Sequence, residues 1–600
     1  MKMFKPLLRD ALRDYYPLKK YFVQHRWGFL AGFLSLLGVD FLQLLIPLVI
    51  KRVIDALTLK TATSALLLRY GMAIVAIFII IGLLRYVWRH LLFGISRKIE
   101  KGLRSRLYGH LQNLSLSFYH RTKTGDIMAR AINDINAVRM ASGMGMVALT
   151  DGVVMGVAAI GFMISISPFL TLIALIPAPP LVYFTRILTR RMSAGYERIQ
   201  KSFSDLTERA REGFAGIRVI KAYGRESWQS ERIRETGKEY ISENMNVAKT
   251  FAFFFPMVAI FTNLGLAIVI GLGGRLTILG QISTGDFVAF ISYLTLLTWP
   301  MMAIGWVTNL VQRGAASMRR INRIFEEVPE IVDSTEPTQL HDIKGELRLK
   351  GLSLRYPGYT TYALKNIHLT VEAGQTAAVV GRVGSGKTTL FHAIPRLHEP
   401  PPRTVFVDGV DIREIPLKTL RNNIGFVTQE SIVFSDTIRN NVAFGRGGVT
   451  DQDLERALKI AQLFDDVRSF EKGVDTLLGE RGITLSGGQR QRLTIARAVV
   501  MNPPILILDD ALSMVDTRTE ERILSEILAH RQGKTNLVVS HRLSTISRAD
   551  LIVVLDGGEL VEIGDHQRLL ETGREYPRLY QREVLAQALE IEGRNNGRLE

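Results

Sequence analysis

Long apolar runs and charged stretches alternate through the first half of the chain and stop near residue 310. Six runs, at 27–50, 67–93, 142–167, 169–190, 251–275 and 285–310, each come near the ~20 residues that a helix needs to cross hydrocarbon. The links between them are uneven. Those at 51–66, 168 and 276–284 are short; those at 94–141 and 191–250 are long, charged and helical in pattern. The long links are too polar for lipid, so the pattern predicts helices that leave the membrane, turn and return. With short links outside and long ones inside, both termini lie in the cytoplasm. The basic residues agree, clustering at Lys19, Lys20 and Arg26 and again at Arg97, Lys98, Lys101, Arg104 and Arg106. Residues 1–26 are basic and aromatic. They read as a cytoplasmic or interfacial segment with an amphipathic helix over Leu7–Tyr21, and not as a cleaved signal peptide.

Composition sharpens this picture. The chain is 47% hydrophobic although 22% of it is charged, and the apolar residues are concentrated in the first half. A formal net charge of +18 would suit nucleic acid or basic loops beside a membrane; its position between apolar spans favours the membrane. Six hundred residues exceed one ordinary core. The absence of cysteine excludes disulfides and thiolate metal sites.

Each long link holds a candidate docking tip, one at Leu116–Asp126 with a helix start at Thr124, the other at Glu212–Tyr223. Within the spans, Asp40 and Asp151 are ionisable residues at membrane depth. Two readings stay open for them: a substrate path that favours cationic cargo, or a structural hydrogen bond between helices. The predicted division is 1–26, a transmembrane domain at 27–325, a Glu/Pro/Asp/Thr-rich linker at 326–342, and a second domain at 343–600.

The second half carries the chemistry. Gly381-Arg382-Val383-Gly384-Ser385-Gly386-Lys387-Thr388 fits the phosphate-loop pattern, with a strand-like run before it and a helix-like run from Thr388. Glycines let backbone N–H groups close around phosphate oxygens at a helix N-terminus. Gly381, Gly384, Ser385, Gly386, Lys387, Thr388 and Thr389 are therefore the expected nucleotide-binding set, with Lys387 on the β- and γ-phosphates and Thr388 on Mg²⁺. Ile505–Asp509 reads as a buried parallel strand that ends in a carboxylate near the metal. Asp510 stands where a second carboxylate would orient or deprotonate the attacking water. Leu485-Ser486-Gly487-Gly488-Gln489 opens a helix and forms an anion site. It is poorly placed to fold onto its own phosphate loop, which suggests a site shared between two copies of the domain. Gln429 and His541 follow strand-like runs, where open α/β sheets bind ligands, and Tyr356 ends another.

In this order the elements resemble the ATP-binding cassette family, specifically half-transporters of the six-span exporter type, over nearly the whole chain. The resemblance implies a helical six-span transmembrane domain fused to an α/β P-loop ATPase domain, type IV exporter-like, at the cell membrane. It implies ATP and Mg²⁺ as ligands, with Tyr356 stacking on adenine and Thr388, Gln429 and Asp509 about the metal. It implies Asp510, His541 and Gln429 in catalysis. Ser486, Gly487, Gly488 and Gln489 would contact nucleotide from the signature, and Asp516 from the loop Ser513-Met514-Val515-Asp516. Gly479-Glu480-Arg481-Gly482 would abut the coupling loops.

One position departs from the family pattern, because exporters usually carry Glu where this chain has Asp510. With its signature intact, the chain is similar to one subunit of heterodimeric bacterial multidrug exporters that have one slow ATP site. The implied partner supplies the catalytic Glu and an altered signature; a homodimer with two slow sites is the other arrangement. The expected cargo is amphipathic small molecules, with lipid or peptide export as neighbouring readings and a non-transporting membrane sensor ATPase as a reading from another class. Six spans disfavour a soluble ATPase acting on nucleic acid.

Overall fold

The computed structural model describes residues 13–340, 342–479, 485–540, 546–582 and 584–585. Two compact units are present: residues up to Gln112 with Thr124–Glu327, and Asn113–Lys123 with Val328 onward.

The first unit is helical. Its membrane-capable helices run Arg26–Thr58, Ser64–Asn113, Thr124–Ile166, Pro168–Ala215, Glu226–Ile278 and Thr284–Glu326. Every backbone polar group in hydrocarbon needs a partner within the chain, and a continuous helix supplies it. The same helices run far past the apolar windows, as the charged links predicted, because polar residues of good helix propensity extend an existing helix at little cost. The short links are capped: Thr63 accepts from Leu66 N and Ser167 from Leu170 N, while Ser283 and Asp286 form a capping box. Asp286 also pairs with Lys51 at 2.5 Å, and Asp55 accepts the Gly285 N–H at 2.7 Å, tying the first and last spans together at this end. Deeper down, the buried Tyr293 hydroxyl donates to the Leu44 carbonyl at 2.9 Å. Large apolar side chains such as Leu68, Val75, Phe78, Ile79 and Leu83 face outward, as lipid requires.

The described part of the N-terminal segment is a turn at Tyr16–Leu18 followed by a short helix at Lys19–Gln24. It is fastened to the last long helix: Arg319 pairs with Asp14 at 2.7 Å, and Tyr15 donates to the Val311 carbonyl at 3.1 Å. Residues 7–12 of the expected amphipathic helix lie outside the described residues. At the second loop tip a short helix spans Ile217–Ala222, with Phe214, Val219 and Tyr223 between 62% and 78% exposed.

The second unit is α/β. Its strands are β1 Leu347–Leu354, β2 Leu364–Val371, β3 Thr376–Gly381, β4 Val405–Val407, β5 Val410–Asp411, β6 Ile424–Val427, β7 Ile505–Asp509, β8 Thr535–Val539, β9 Leu551–Asp556 and β10 Glu559–Gly564. An antiparallel sheet has the order β2-β1-β4-β5, and a larger sheet the order β10-β9-β3-β8-β7-β6. In the larger sheet β9, β3, β8, β7 and β6 are parallel. β7 and β8 are buried along their whole length and mostly apolar, as strands covered on both faces should be. The register matters for function. Val427 lies opposite Leu508, and Asp509 and Val379 both lie opposite Val539. The phosphate loop, Asp509 and the stretch that leads to Gln429 therefore leave the sheet at one carboxyl edge.

The first loop tip belongs to this second unit. Its helix Leu116–Arg121 is held by Ser117, which donates to Glu330 at 2.6 Å, and by Ser115, which accepts from the Glu330 and Ile331 backbone N–H groups.

Candidate nucleotide site

The loop after β3 can close only because of its glycines. Gly384 and Gly386 have φ of +82° and +101°, the left-handed region that glycine enters freely. A Cβ at Gly386 would stand 2.7 Å from the Ala363 carbonyl oxygen. The helix Lys387–Ala393 follows directly. The Lys387 ammonium folds back over the loop, donating to the carbonyls of Gly381 at 2.8 Å and Arg382 at 2.9 Å. Burial pushes its amine below the usual lysine range, while Asp510 and Asp509 pull the other way. The result is one cation held at the mouth of a cradle of backbone N–H groups.

Thr388 donates to Asp509 Oδ1 at 3.2 Å. Asp509 is 1% exposed, and its second oxygen, Oδ2, has no hydrogen-bond partner. Burial raises its carboxyl above the ordinary range, and Asp510 adds to this; Thr388 and Lys387 oppose it. The Ser385 hydroxyl is likewise buried without a partner. Orphaned buried polar atoms of this kind are costly in a finished core. Here they fit a hard divalent cation on Asp509 and phosphate oxygens on Ser385.

Asp510 takes φ +50°. Among non-glycine residues Asp and Asn enter this region most readily. Its backbone is pinned by a residue that sequence reasoning missed: buried Gln491, on the helix Gly487–Val499, donates to the Asp510 carbonyl at 3.2 Å. The Gln491 side-chain oxygen accepts from Met514 N at 2.8 Å. Gln491 thus ties the signature helix to Asp510 and to the loop that follows it. Only its polarity on a mostly apolar buried helix face would have marked it.

The signature residues begin that helix. Ser486 caps it, accepting from Gln489 N at 3.2 Å while its own N–H donates to Gln489 Oε1 at 3.0 Å. Gly488 lets the Met514 carbonyl approach to 3.1 Å of where a Cβ would stand. Asp516 caps the helix Thr517–His530 by accepting from Thr519 N, and hydrogen bonding from the Thr519 side chain, then from its backbone, holds the Asp516 carboxyl below the usual range. Gln429 is exposed two residues past β6. Tyr356 reaches the start of the phosphate-loop helix, sharing a 2.8 Å hydrogen bond with Thr389. His541 and Glu480–Gly482, also expected here, lie outside the described residues.

Behind Tyr356 sits a group of imidazoles that the motifs did not announce. The His398 ring meets Tyr356 edge-on at 4.9 Å, with His392 at 5.6 Å and His120 of the loop-tip helix at 5.9 Å. His398 is 8% exposed and its Nε2 has no partner. Burial, then His392 and His120, push its pKa down to about 4, against a smaller pull from Glu330. An imidazole kept neutral in the fold but protonated when unfolded between pH 6.5 and 4 makes stability rise with pH across that window. The difference approaches about 3 kcal/mol for such a shift. The thermal unfolding midpoint of the purified chain should therefore fall as pH falls from 6.5 to 4. His398→Phe, which keeps a ring against Tyr356, should flatten that dependence.

Comparison with known proteins agrees with this geometry. The family model "ABC transporter transmembrane region" matches residues 29–301 and the model "ABC transporter" matches 364–513. A probable multidrug resistance ABC transporter ATP-binding/permease protein, YheI of Bacillus subtilis, is 36% identical over 92% of this chain and 95% of its own length. The chain belongs to the ABC transporter family. The multidrug resistance-like ATP-binding protein MdlA of Escherichia coli is 35% identical over 96% of this chain and 98% of its own. The ATP-dependent lipid A-core flippase of Syntrophus aciditrophicus is 35% identical over 85% of this chain and 84% of its own. A bacterial Atm1-family ABC exporter solved with ATP bound superposes with a TM-score of 0.75 at 27% identity, covering 94% of this chain and 98% of that one. This ABC transporter is a multi-pass membrane exporter of the six-helix type IV architecture, and its ATP-binding unit is an ATPase coupled to transport.

Proposed function

We propose that the chain is one subunit of a cytoplasmic-membrane exporter of amphipathic compounds, with both termini and the ATPase unit in the cytoplasm. The observation that carries the ATP chemistry is that the Lys387 ammonium, folded over the phosphate loop, and the unpartnered Asp509 oxygen both lie at one sheet edge. The relatives' names support drug export first; the flippase among them keeps lipid as the second reading.

In the mechanism we infer, Lys387 exchanges its two backbone carbonyls for the β- and γ-phosphate oxygens of ATP. The N–H groups of Gly384, Gly386 and the helix start take the rest of the charge. Tyr356 offers its ring face to the base. Thr388, Asp509 and Gln429 would hold Mg²⁺, which when bound neutralises charge that develops on the transferred phosphoryl group. A second subunit's signature closes the site, and this chain's Ser486, Gly487, Gly488 and Gln489, with Asp516, do the same for the partner's nucleotide; His541 acts with Asp510 and Gln429 in catalysis at this chain's own site. The exposed apolar tip at Phe214–Tyr223 suits docking on the second subunit. Alternating access follows from closing and reopening the two ATPase units.

Asp510 orients the attacking water with a carboxylate one methylene short of the usual Glu, a retreat of about 1.5 Å. Misplacement on that scale slows a positioned reaction by orders of magnitude. We infer a heterodimer in which this chain's phosphate loop serves the slow site and its intact signature completes the fast one. The purified chain alone should then turn over ATP slowly, and a partner bearing Glu and an altered signature should restore brisk turnover. Vigorous hydrolysis by the chain alone would overturn the unequal-site reading.

A further inference from the structure

Asp40 and Asp151 stand on different helices, Arg26–Thr58 and Thr124–Ile166, yet the fold makes their carboxyl groups neighbours that act on each other. Asp40 is fully buried, and neither of its oxygens receives a hydrogen bond. Asp151 is half-buried and accepts the Trp299 indole N–H at 2.9 Å. The indole itself is 51% exposed. At 1.5 Å per residue, Asp40 lies about 27 Å along its helix from Thr58, Asp151 about 22 Å from Ile166, and Trp299 about 22 Å from Thr284. All three therefore sit at a similar depth from the short-link end of the bundle.

Charge neutrality restricts what this arrangement can be. Two facing carboxylates without a donor between them carry two negative charges in a setting where one isolated charge is already costly. Among the described residues, Arg85 is the cationic side chain that acts on Asp40. From the helix Thr284–Leu296, the neighbouring Tyr293 hydroxyl is spent on the Leu44 carbonyl. One further positive charge is needed, and none of the other described residues is seen to supply it.

We propose that Asp40, Asp151 and Trp299 form a cation site at membrane depth, filled at rest by one shared proton and, during transport, by the positive group of an organic cation. Asp151 and the indole face present the accessible half, where carboxylate charge and the ring quadrupole attract the same guest. Asp40 is the buried half that obliges the pair to keep one positive charge at all times. Binding is an exchange: the cation enters, the proton shared by the carboxyl pair leaves to water, and the net charge of the cluster is unchanged. The site deepens the export reading by naming lipophilic cations as a substrate class, and its physiological meaning rests on that reading.

Binding tests it independently of transport. Equilibrium dialysis of the purified full-length chain at pH 7.5 would compare tetraphenylphosphonium with neutral triphenylphosphine oxide. A pH indicator in weak buffer would follow protons. The proposal expects the cation to bind at least tenfold more tightly than the neutral probe, with release of about one proton per cation bound. Asp40→Asn and Asp151→Asn should each weaken cation binding at least tenfold and leave the neutral probe unchanged. Trp299→Phe, which keeps both carboxylates, should weaken the cation alone several-fold. Equal affinity for the two probes, cation binding without proton release, or parallel loss of both probes in the variants would overturn the site. A protein that binds the cation with proton release yet moves nothing across a membrane would retain the site and lose the export reading.

Discussion

Lys387→Met lowers ATP turnover at this chain's own site by about 10²–10³-fold, the range seen when one preorganised donor to a developing anion is removed. The methionine side chain has nearly the same reach, so the change removes charge without opening a large hole. Its cost falls on the phosphate charge, because the lysine is the cation that the loop holds at its mouth, 2.8 Å and 2.9 Å from two of its own carbonyls. Single-turnover hydrolysis by the pair, with the partner's phosphate loop disabled, measures the effect at this chain's own site. Nucleotide binding should weaken in the same variant, and an unaltered circular dichroism spectrum would show that the fold is intact.

Asp510→Glu acts in the opposite direction. Extending the carboxylate by one methylene returns it toward the attacking water and should raise turnover at this chain's site by about tenfold or more. The substitution has a counterweight. At φ +50° Glu is less at ease than Asp, so some stability should be lost even as the rate rises. The Gln491 bond to the Asp510 carbonyl is unaffected by the side chain and should keep the backbone in register. Single-turnover hydrolysis by the pair, with the partner's phosphate loop disabled, isolates this site. An unchanged rate would assign the slowness to the partner's signature.

What was legible in the sequence was local. The phosphate loop, the strand ending at Asp509 and the capped helix after Ser486 are set by neighbours within a few residues, so spacing alone located them. The six spans were legible because a helix in lipid must be apolar over a fixed length, and their bounds came out short because Lys51, Arg52 and Asp55 continue a helix without being apolar. What was hidden depends on long-range meetings. Gln491 reaches across to Asp510 and Met514, and His120 reaches His398 from the far side of the chain. Asp40 and Asp151 were each visible as intramembrane charges, but no periodicity says that two helices turn them toward one another. Tyr356 was expected as a stacking face, and its hydroxyl bond to Thr389 is equally beyond pattern reading.

The most direct measurement is dye uptake by inside-out membrane vesicles that contain the assembled transporter. The expected result is accumulation of an amphipathic dye that requires MgATP. Hydrolysis of ATP with no accumulation of any member of a broad dye, lipid and peptide panel would contradict it and leave a membrane ATPase that senses without transporting.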